Sequence, residues 1–200
     1  MRKTLDWLGV HLWPDRHFER LYSQTPDPWN CETSPYELLK AKRTADAIIQ
    51  LQMPGAVLDV GCGEGILAEF LGARGHVVSA IDISPSAVER ARQRCASHSQ
   101  VDVAVGNVLK RPVLGRFDVI VLSEVLYYLG YGRSRRTVCD QLVETLSENG
   151  YLAVTNPWPA SRNIERVLGT HSRLKLVSAN VFPDPGRPYS LAIYRRLGNG

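Results

Sequence analysis

The fold is decided by nine consecutive residues, Val57-Leu58-Asp59-Val60-Gly61-Cys62-Gly63-Glu64-Gly65. Their pattern is typical of a short apolar strand with an acid near its end, followed by a turn with three alternating glycines. The next segment, Ile66-Leu67-Ala68-Glu69-Phe70-Leu71, is compatible with an apolar helix. A strand, a glycine turn and a helix in this order allow a ligand to lie against bare backbone at a helix N-terminus.

Apolar strands and helices alternate along the rest of the chain. Further strands are predicted at 77–82, 101–105, 117–122, 151–154, 173–179 and 189–195, the last two as a hairpin. Helices are predicted from Ser34-Pro35, at about 64–73, from Ser84-Pro85, from Ser134 to the break at Asn149-Gly150, and at about 160–168. This alternation indicates an α/β protein with a mostly parallel, Rossmann-like sheet of seven strands flanked by helices.

Composition limits the classes of function. The 200 residues fit a single domain, and the net charge of +4 is mild. The densest basic group, Arg133, Arg135 and Arg136, is expected to be the solvated start of a helix rather than a nucleic-acid surface. The four cysteines have no C-x-x-C spacing, which argues against a metal site and favours reduced thiols in a cytoplasmic protein. No segment has the pattern of a signal peptide or a membrane span.

Residues 1–34 are expected to form an N-terminal arm on a core of residues 35–200. The arm is irregular and aromatic, with Trp7, Trp13, Phe18, Tyr22 and Trp29. Its prolines forbid a helix that continues through 25–30. Two interpretations are open: the arm packs its aromatic side chains on the core, or it closes over a pocket as a lid.

The glycine turn restricts the ligand. A phosphate-binding loop needs Lys-Ser or Lys-Thr after its last glycine, and this turn has neither. A dinucleotide fingerprint would place its third glycine at Ile66, one residue after Gly65, and Asp59 and Glu64 would repel a pyrophosphate.

S-adenosylmethionine fits better, because it carries an ammonium and a sulfonium beside its one carboxylate. Asp82 follows Gly61 by 21 residues and ends the second strand, where an acid can accept hydrogen bonds from both ribose hydroxyls. Asn107 ends the third strand and can meet the polar edge of adenine, while Ile83 can pack on the face of the ring.

The motifs resemble those of the class I methyltransferases. Residues 57–65 are similar to that family's first motif, D-x-G-x-G-x-G, and later motifs follow in order at Asp82, Gly106-Asn107 and 117–120. Asn149-Gly150-Tyr151-Leu152 is similar to the turn before the fifth strand. The resemblance covers residues 35–196 and implies an antiparallel strand in the final hairpin.

A narrower resemblance is to nodulation protein S-like methyltransferases. It is carried by Asp27-Pro28-Trp29, Pro35-Tyr36-Glu37 and the segment 123–129. The resemblance implies methylation of a small polar molecule, such as an amino group on a chito-oligosaccharide. Two departures are Leu38, where an arginine is common, and Asn107, where an aspartate is common. The first leaves open how the N-terminal helix meets cofactor or substrate.

These patterns and resemblances give a predicted site. The residues expected to bind the cofactor are Trp29, Asp59, Gly61, Cys62, Gly63, Gly65, Asp82, Ile83, Asn107, Val108 and Glu124. The residues expected to orient the acceptor or take its proton are Glu124, Tyr127 and Tyr128, with His17 and Tyr22 as further candidates from the arm. Asp59 is expected chiefly to brace the glycine loop, and no metal is expected.

The predicted function is therefore methyl transfer from S-adenosylmethionine to the N or O of a small polar molecule. Two alternatives remain open. Asn156-Pro157-Trp158 faintly resembles a motif of amino-methylating DNA enzymes, which keeps open a nucleic-acid methyltransferase, although the motif follows strand five rather than four. A protein that binds the cofactor without catalysis is the other alternative. The sequence predicts neither the acceptor nor the oligomeric state.

Overall fold

The computed structural model describes residues 14–130, 132–160, 162–184 and 186–198, so Trp7 and Trp13 of the predicted arm lie outside the described residues. The helices are α1 (Pro14–Gln24), α2 (Pro35–Gln50), α3 (Ile66–Gly72), α4 (Pro85–Cys95), α5 (Gly132–Thr145) and α6 (Arg162–Gly169). The strands are β1 (Val57–Val60), β2 (Val78–Asp82), β3 (Val101–Val105), β4 (Phe117–Ser123), β5 (Leu146–Pro157), β6 (Leu174–Phe182) and β7 (Tyr189–Arg196). A short 3-10 turn, Leu126–Tyr128, follows β4.

The strands form one sheet in the order β3-β2-β1-β4-β5-β7-β6. Neighbouring strands from β3 to β5 are parallel, and β7 runs antiparallel to both β5 and β6. The predicted seven-stranded, mostly parallel sheet with an antiparallel last strand is thus confirmed. Strand order reverses between β1 and β4, and ligands bind sheets of this kind at the carboxyl ends beside such a reversal.

Helices cover both faces of the sheet. One hydrophobic core lies between the sheet and α2, α3 and α4, and it includes Ile48, Leu71 and Val88. The second core lies under α5 and α6 and includes Leu142 and Leu168. In the described part of the chain, none of the helices combines the length and apolar content needed to cross a bilayer.

Ser34 and Ser84 begin α2 and α4 as the sequence predicts. Each side chain accepts a hydrogen bond from the amide three residues later, at 3.5 Å for Glu37 and 3.2 Å for Ala87. A proline occupies the first turn of both helices. These caps satisfy backbone donors that would otherwise be orphaned at each helix start.

Two predictions about the second half of the chain are wrong in detail. The expected break at Asn149-Gly150 lies inside β5, because α5 ends at Thr145 and the strand begins at Leu146. Asn149 has a φ of 63°, and the register between β4 and β5 shifts beside it. Arg135 is buried rather than solvated, since the helical period places it on the same face of α5 as Val138, Cys139 and Leu142.

Candidate functional site

The carboxyl ends of β1 and β2 are joined by hydrogen bonds through the glycine loop. Asp82 Oδ2 accepts a hydrogen bond from Gly63 N at 2.9 Å, and Asp82 Oδ1 accepts one from Ser84 N at 2.9 Å. The amides of Gly61 and Cys62 donate to the carbonyl oxygen of Ile81 at 2.7 and 3.0 Å. The predicted loop and the predicted acid therefore form one unit at the end of two adjacent strands.

The three predicted glycines adopt left-handed backbone conformations. Their φ angles are 72° at Gly61, 54° at Gly63 and 83° at Gly65, a region that side chains with a Cβ rarely adopt. A Cβ on Gly61 would lie 2.3 Å from Cγ2 of Val125, just beyond β4. The loop is therefore bare backbone that passes close to the end of β4.

Asp59 lies beneath the loop and is almost completely buried, with 1% exposure. Burial, and then the negative charge of Asp82, raise the pKa of Asp59 to about 7. Its Oδ2 atom has no hydrogen-bond partner, so this atom does not brace the loop as the sequence led us to expect. A buried, unpartnered carboxyl oxygen suits a ligand with a donor such as an ammonium group.

Asn107 follows β3 and offers a second unpartnered atom. Its Oδ1 accepts a hydrogen bond from Leu109 N at 2.9 Å, while its buried Nδ2 makes no hydrogen bond of normal geometry. The side chain of Val108 packs into the core under α5, which leaves mainly its backbone to meet a ligand. The side chain of Cys62 likewise packs against the opposite core, so its backbone is the part available in the loop.

Helix α1 covers the loop. Phe18 and Tyr22 of this helix pack on Ala87 of α4, and Trp29, Ile83 and Tyr128 pack against that cluster. The Tyr22 hydroxyl lies 3.0 Å from the position that a Cβ on Gly63 would occupy. Predicted residues from three separate parts of the chain, Trp29, Ile83 and Tyr128, are thereby brought to one place.

Glu19 attaches α1 to the N-terminus of α4. Its carboxylate accepts hydrogen bonds from Ser84 Oγ at 2.6 Å, Ser86 N at 3.0 Å and Ser86 Oγ at 2.6 Å. Although burial opposes the shift, these hydrogen bonds lower the pKa of Glu19. No local sequence motif marks Glu19 as a residue of the site.

Glu64 does not contribute the repulsion that the sequence analysis assigned to it. It is buried, its carboxylate pairs with the guanidinium of Arg90, and it accepts a hydrogen bond from Asp27 N at 3.1 Å. Arg90 therefore compensates the charge of Glu64 beside the loop.

Glu124 stands directly after β4, in a left-handed conformation with a φ of 59°. Its Oε1 lies 2.8 Å from Nζ of Lys40, and its Oε2 accepts a hydrogen bond from the Tyr127 hydroxyl at 2.9 Å. Lys40 is buried in α2, and its Nζ is also 2.8 Å from Oε2 of Glu37. Glu37 in turn accepts a hydrogen bond from Arg187 at 2.6 Å.

The burial of Lys40 and Glu37 does not follow from the sequence pattern of α2. Apolar periodicity predicts a buried stripe of Leu38, Ala41, Ala45, Ile48 and Ile49, whereas the buried positions are Glu37, Lys40, Thr44, Ala45 and Ile48. The available signal was the i,i+3 spacing of two opposite charges on that buried face.

Tyr127 and Tyr128 lie side by side, although helical spacing predicts that they face different directions. Their rings are 4.3 Å apart in the 3-10 turn after β4. Burial, and then the charge of Glu124, raise the pKa of Tyr127, so its hydroxyl stays protonated and donates a hydrogen bond to Glu124. Burial also raises the pKa of Tyr128, whose ring packs edge-on against Phe18 at 5.0 Å. These hydroxyls suit orientation of an acceptor rather than removal of its proton.

Within the described residues, no group of three or more His, Cys, Asp or Glu side chains is arranged to hold a metal ion. All four cysteines are free thiols.

The sequence is similar to two sets of characterised proteins. It is 32% identical over 129 residues to nodulation protein S of Rhizobium tropici, which covers 63% of this chain and 53% of that protein. It is 30% identical over 167 residues to a ubiquinone biosynthesis O-methyltransferase of Xanthomonas campestris pv. campestris, which covers 81% of this chain and 70% of that protein. The match to the first nodulation protein S relatives spans about half of their length.

The structure is similar to that of the N-methyltransferase NodS from Bradyrhizobium japonicum WM9, solved in complex with S-adenosyl-L-homocysteine. The TM-score is 0.79 at 25% sequence identity, with 90% of this chain and 97% of that chain covered. The family model of nodulation protein S matches residues 18–180, a range that holds most of α1, the glycine loop and Glu124. The chain therefore belongs to the nodulation protein S family.

Proposed function

We propose that this chain is an S-adenosylmethionine-dependent methyltransferase that acts on a nitrogen or oxygen atom of a small polar molecule. The single observation that carries the proposal is the joined unit of glycine loop and Asp82 at the point where strand order reverses. Family membership and a solved relative in complex with S-adenosyl-L-homocysteine support the identity of the ligand.

The residues of the site fit this cofactor. Asp82 would accept hydrogen bonds from the ribose hydroxyls, and the unpartnered Nδ2 of Asn107 would donate to the adenine ring. The unpartnered Oδ2 of Asp59 would accept a hydrogen bond from the ammonium, while Ile83 would pack on the adenine. When bound, S-adenosylmethionine supplies a methyl group on a sulfonium, whose C–S bond breaks with its electron pair left on sulfur as a C–N or C–O bond forms.

The acceptor would lie beside Glu124. This carboxylate follows β4, its side chain is 26% exposed, and the neighbouring Val125 approaches the glycine loop. A carboxylate there can accept a hydrogen bond from an N–H or O–H of the acceptor, which turns the acceptor's lone pair toward the methyl group. It can also take the proton that the acceptor releases on methylation.

The arm completes the site as a lid, in a single domain that spans the chain. Tyr22 lies over the loop, Phe18 packs beside it on Ala87, and Glu19 fixes their helix to α4. An aromatic cover of this kind keeps water away from the reacting groups. The free thiols further favour a reducing compartment, and we infer that the protein is cytoplasmic.

The direct test is transfer of a labelled methyl group from S-adenosylmethionine to a panel of acceptors. The panel holds glucosamine oligomers for amine acceptors, a catechol for oxygen acceptors, and total RNA for nucleic acid. We expect label in a small-molecule acceptor, and none with Asp82→Ala. Label in RNA would instead support the nucleic-acid alternative, and binding of S-adenosyl-L-homocysteine without transfer to any member would support a non-catalytic binding protein.

A further inference from the structure

Lys40 is an unusual residue for the middle of a buried helix face. It is only 6% exposed, although lysine is almost never this buried unless its charge is paired. The removal of an ammonium from water is costly, so a buried lysine has to be compensated by close partners.

The partners of Lys40 are two carboxylates from different parts of the chain. Its Nζ lies 2.8 Å from Glu37, one turn earlier in α2, and 2.8 Å from Glu124 at the end of β4. The ammonium also lies 5.3 Å from the ring centre of Tyr36 and 5.9 Å from that of Tyr189. Glu37 also forms an ion pair with Arg187. Glu124 forms its ion pair with Lys40 of α2.

Glu124 needs such a partner. Its backbone is in the left-handed region, which is unfavourable for a residue with a side chain. Lys40 holds one carboxylate oxygen and the Tyr127 hydroxyl holds the other. Two fixed oxygens give this carboxylate one orientation, and each oxygen keeps a lone pair for an acceptor.

We propose that Lys40 is a positioning residue, which acts through Glu124 by holding that carboxylate toward the methyl acceptor. The inference rests on the proposed function for its catalytic consequence. Lys40 itself does not need to touch the acceptor or the cofactor. Its loss would leave the glycine loop and Asp82 intact, so the effect belongs to kcat rather than to cofactor affinity.

The test compares Lys40→Met, which keeps the length of the side chain, with Lys40→Arg, which keeps the charge. Lys42→Ala is the matched control, because Lys42 is an exposed lysine of the same helix paired with Asp46 at 2.6 Å. We expect Lys40→Met to lower kcat at least tenfold with cofactor affinity unchanged, Lys40→Arg to recover part of the loss, and Lys42→Ala to behave as wild type. A Lys40→Met enzyme with the kcat of wild type would overturn the proposal.

A double-mutant cycle with Glu124→Gln separates positioning from general support of the fold. If Lys40 acts through Glu124, Lys40→Met lowers kcat little further once Glu124 is already neutral. The double variant also removes the Glu124 charge that Lys40 compensates, while Glu37 keeps Arg187 as its partner, so the double variant remains measurable if Lys40→Met folds poorly. If the two substitutions lower kcat by independent factors that multiply in the double variant, the proposal is overturned.

Hydrogen exchange provides a readout that needs no acceptor. We expect Lys40→Met to speed amide exchange tenfold or more in residues 124–129, leave residues 60–66 unchanged, and be restored by Lys40→Arg. An unchanged rate in 124–129, or an equal rise throughout the chain, contradicts the proposal. If wild type transfers no methyl group, the proposed function fails, and this exchange pattern still decides whether Lys40 positions Glu124.

Discussion

The carboxylate of Asp82 accepts a hydrogen bond from the backbone amide of Gly63 at 2.9 Å, across the gap between β2 and the loop after β1. The acid that would bind the ribose is therefore also a support of the loop that would bind the rest of the cofactor. Because one side chain serves both parts, changes in the loop and changes at Asp82 should have the same effect on ligand affinity.

The shape of the loop predicts that Gly61→Ala abolishes cofactor binding. The left-handed φ costs alanine about 1–2 kcal/mol, and the overpacking against Val125 adds about 1–3 kcal/mol. Gly75→Ala is the matched control, since Gly75 has a φ of 83° with no atom within 4 Å of its added Cβ. Urea unfolding and calorimetry with S-adenosyl-L-homocysteine measure both variants. Equal effects of the two substitutions would show that the approach of Val125 to the loop is unimportant.

The buried state of Asp59 predicts a loss of stability as the pH rises. Its pKa is raised from 3.8 to about 7, so the folded protein binds one more proton than the unfolded chain between these values. Stability therefore falls across this window, by at most about 4 kcal/mol in the absence of cofactor. The stability of Asp59→Asn, measured by unfolding between pH 4 and 8, should lack this component. The stability of the variant relative to wild type should therefore rise up to about pH 7 and stay constant above it.

Asp102→Asn is the control for that series, because Asp102 is an exposed acid on the edge strand β3. It should follow the stability of wild type throughout. If the difference between wild type and Asp59→Asn is constant from pH 4 to 8, the pKa of Asp59 is not raised.

The extent of sequence-based prediction differs between the cofactor side and the acceptor side. The seven strands, both Ser-Pro helix starts and the family were predictable because they follow from local periodicity, capping and short motifs, and all are confirmed. The glycine loop and Asp82 were predictable because parallel strands bring their carboxyl ends to one edge. These features depend on sequence spacing of a few tens of residues or less.

The acceptor side depends on contacts between distant segments. Lys40 meets Glu124 across 84 positions, and Arg187 meets Glu37 across 150, so no local pattern joins them. A periodicity argument also assumes that buried helix positions are apolar, and α2 breaks that assumption at Glu37 and Lys40. The unpartnered oxygen of Asp59 was likewise hidden, because a strand-end acid ordinarily accepts backbone hydrogen bonds.

The attachment of α1 predicts that Glu19→Ala loosens the cover of the site. The loss of three hydrogen bonds to this carboxylate lowers the free energy needed to detach α1 from α4 by about 2 kcal/mol or more. We expect amide exchange in residues 14–24 to rise at least tenfold and cofactor affinity to fall. Because the pKa of Glu19 is lowered below 4.5, the attachment is present above that pH and is lost as the pH falls through the folded value.

Glu89→Ala is the matched control for this variant. Glu89 is an exposed acid of α4, and its carboxylate accepts a hydrogen bond from Gln93 one turn later in the same helix. It should leave exchange in α1 unchanged. Wild-type exchange in Glu19→Ala would mean that the aromatic contacts of Phe18 and Tyr22 suffice to hold the helix.

The central claim is that the glycine loop and Asp82 form an S-adenosylmethionine site, and titration calorimetry with S-adenosyl-L-homocysteine tests it most directly. We predict one site per chain with a dissociation constant of roughly micromolar to tens of micromolar, in the usual range for enzyme ligands. Asp82→Ala should weaken binding at least tenfold, which is about 1.4 kcal/mol or more, and Asp102→Ala should bind as wild type. No binding by wild type, or equal affinity in Asp82→Ala, would contradict the account.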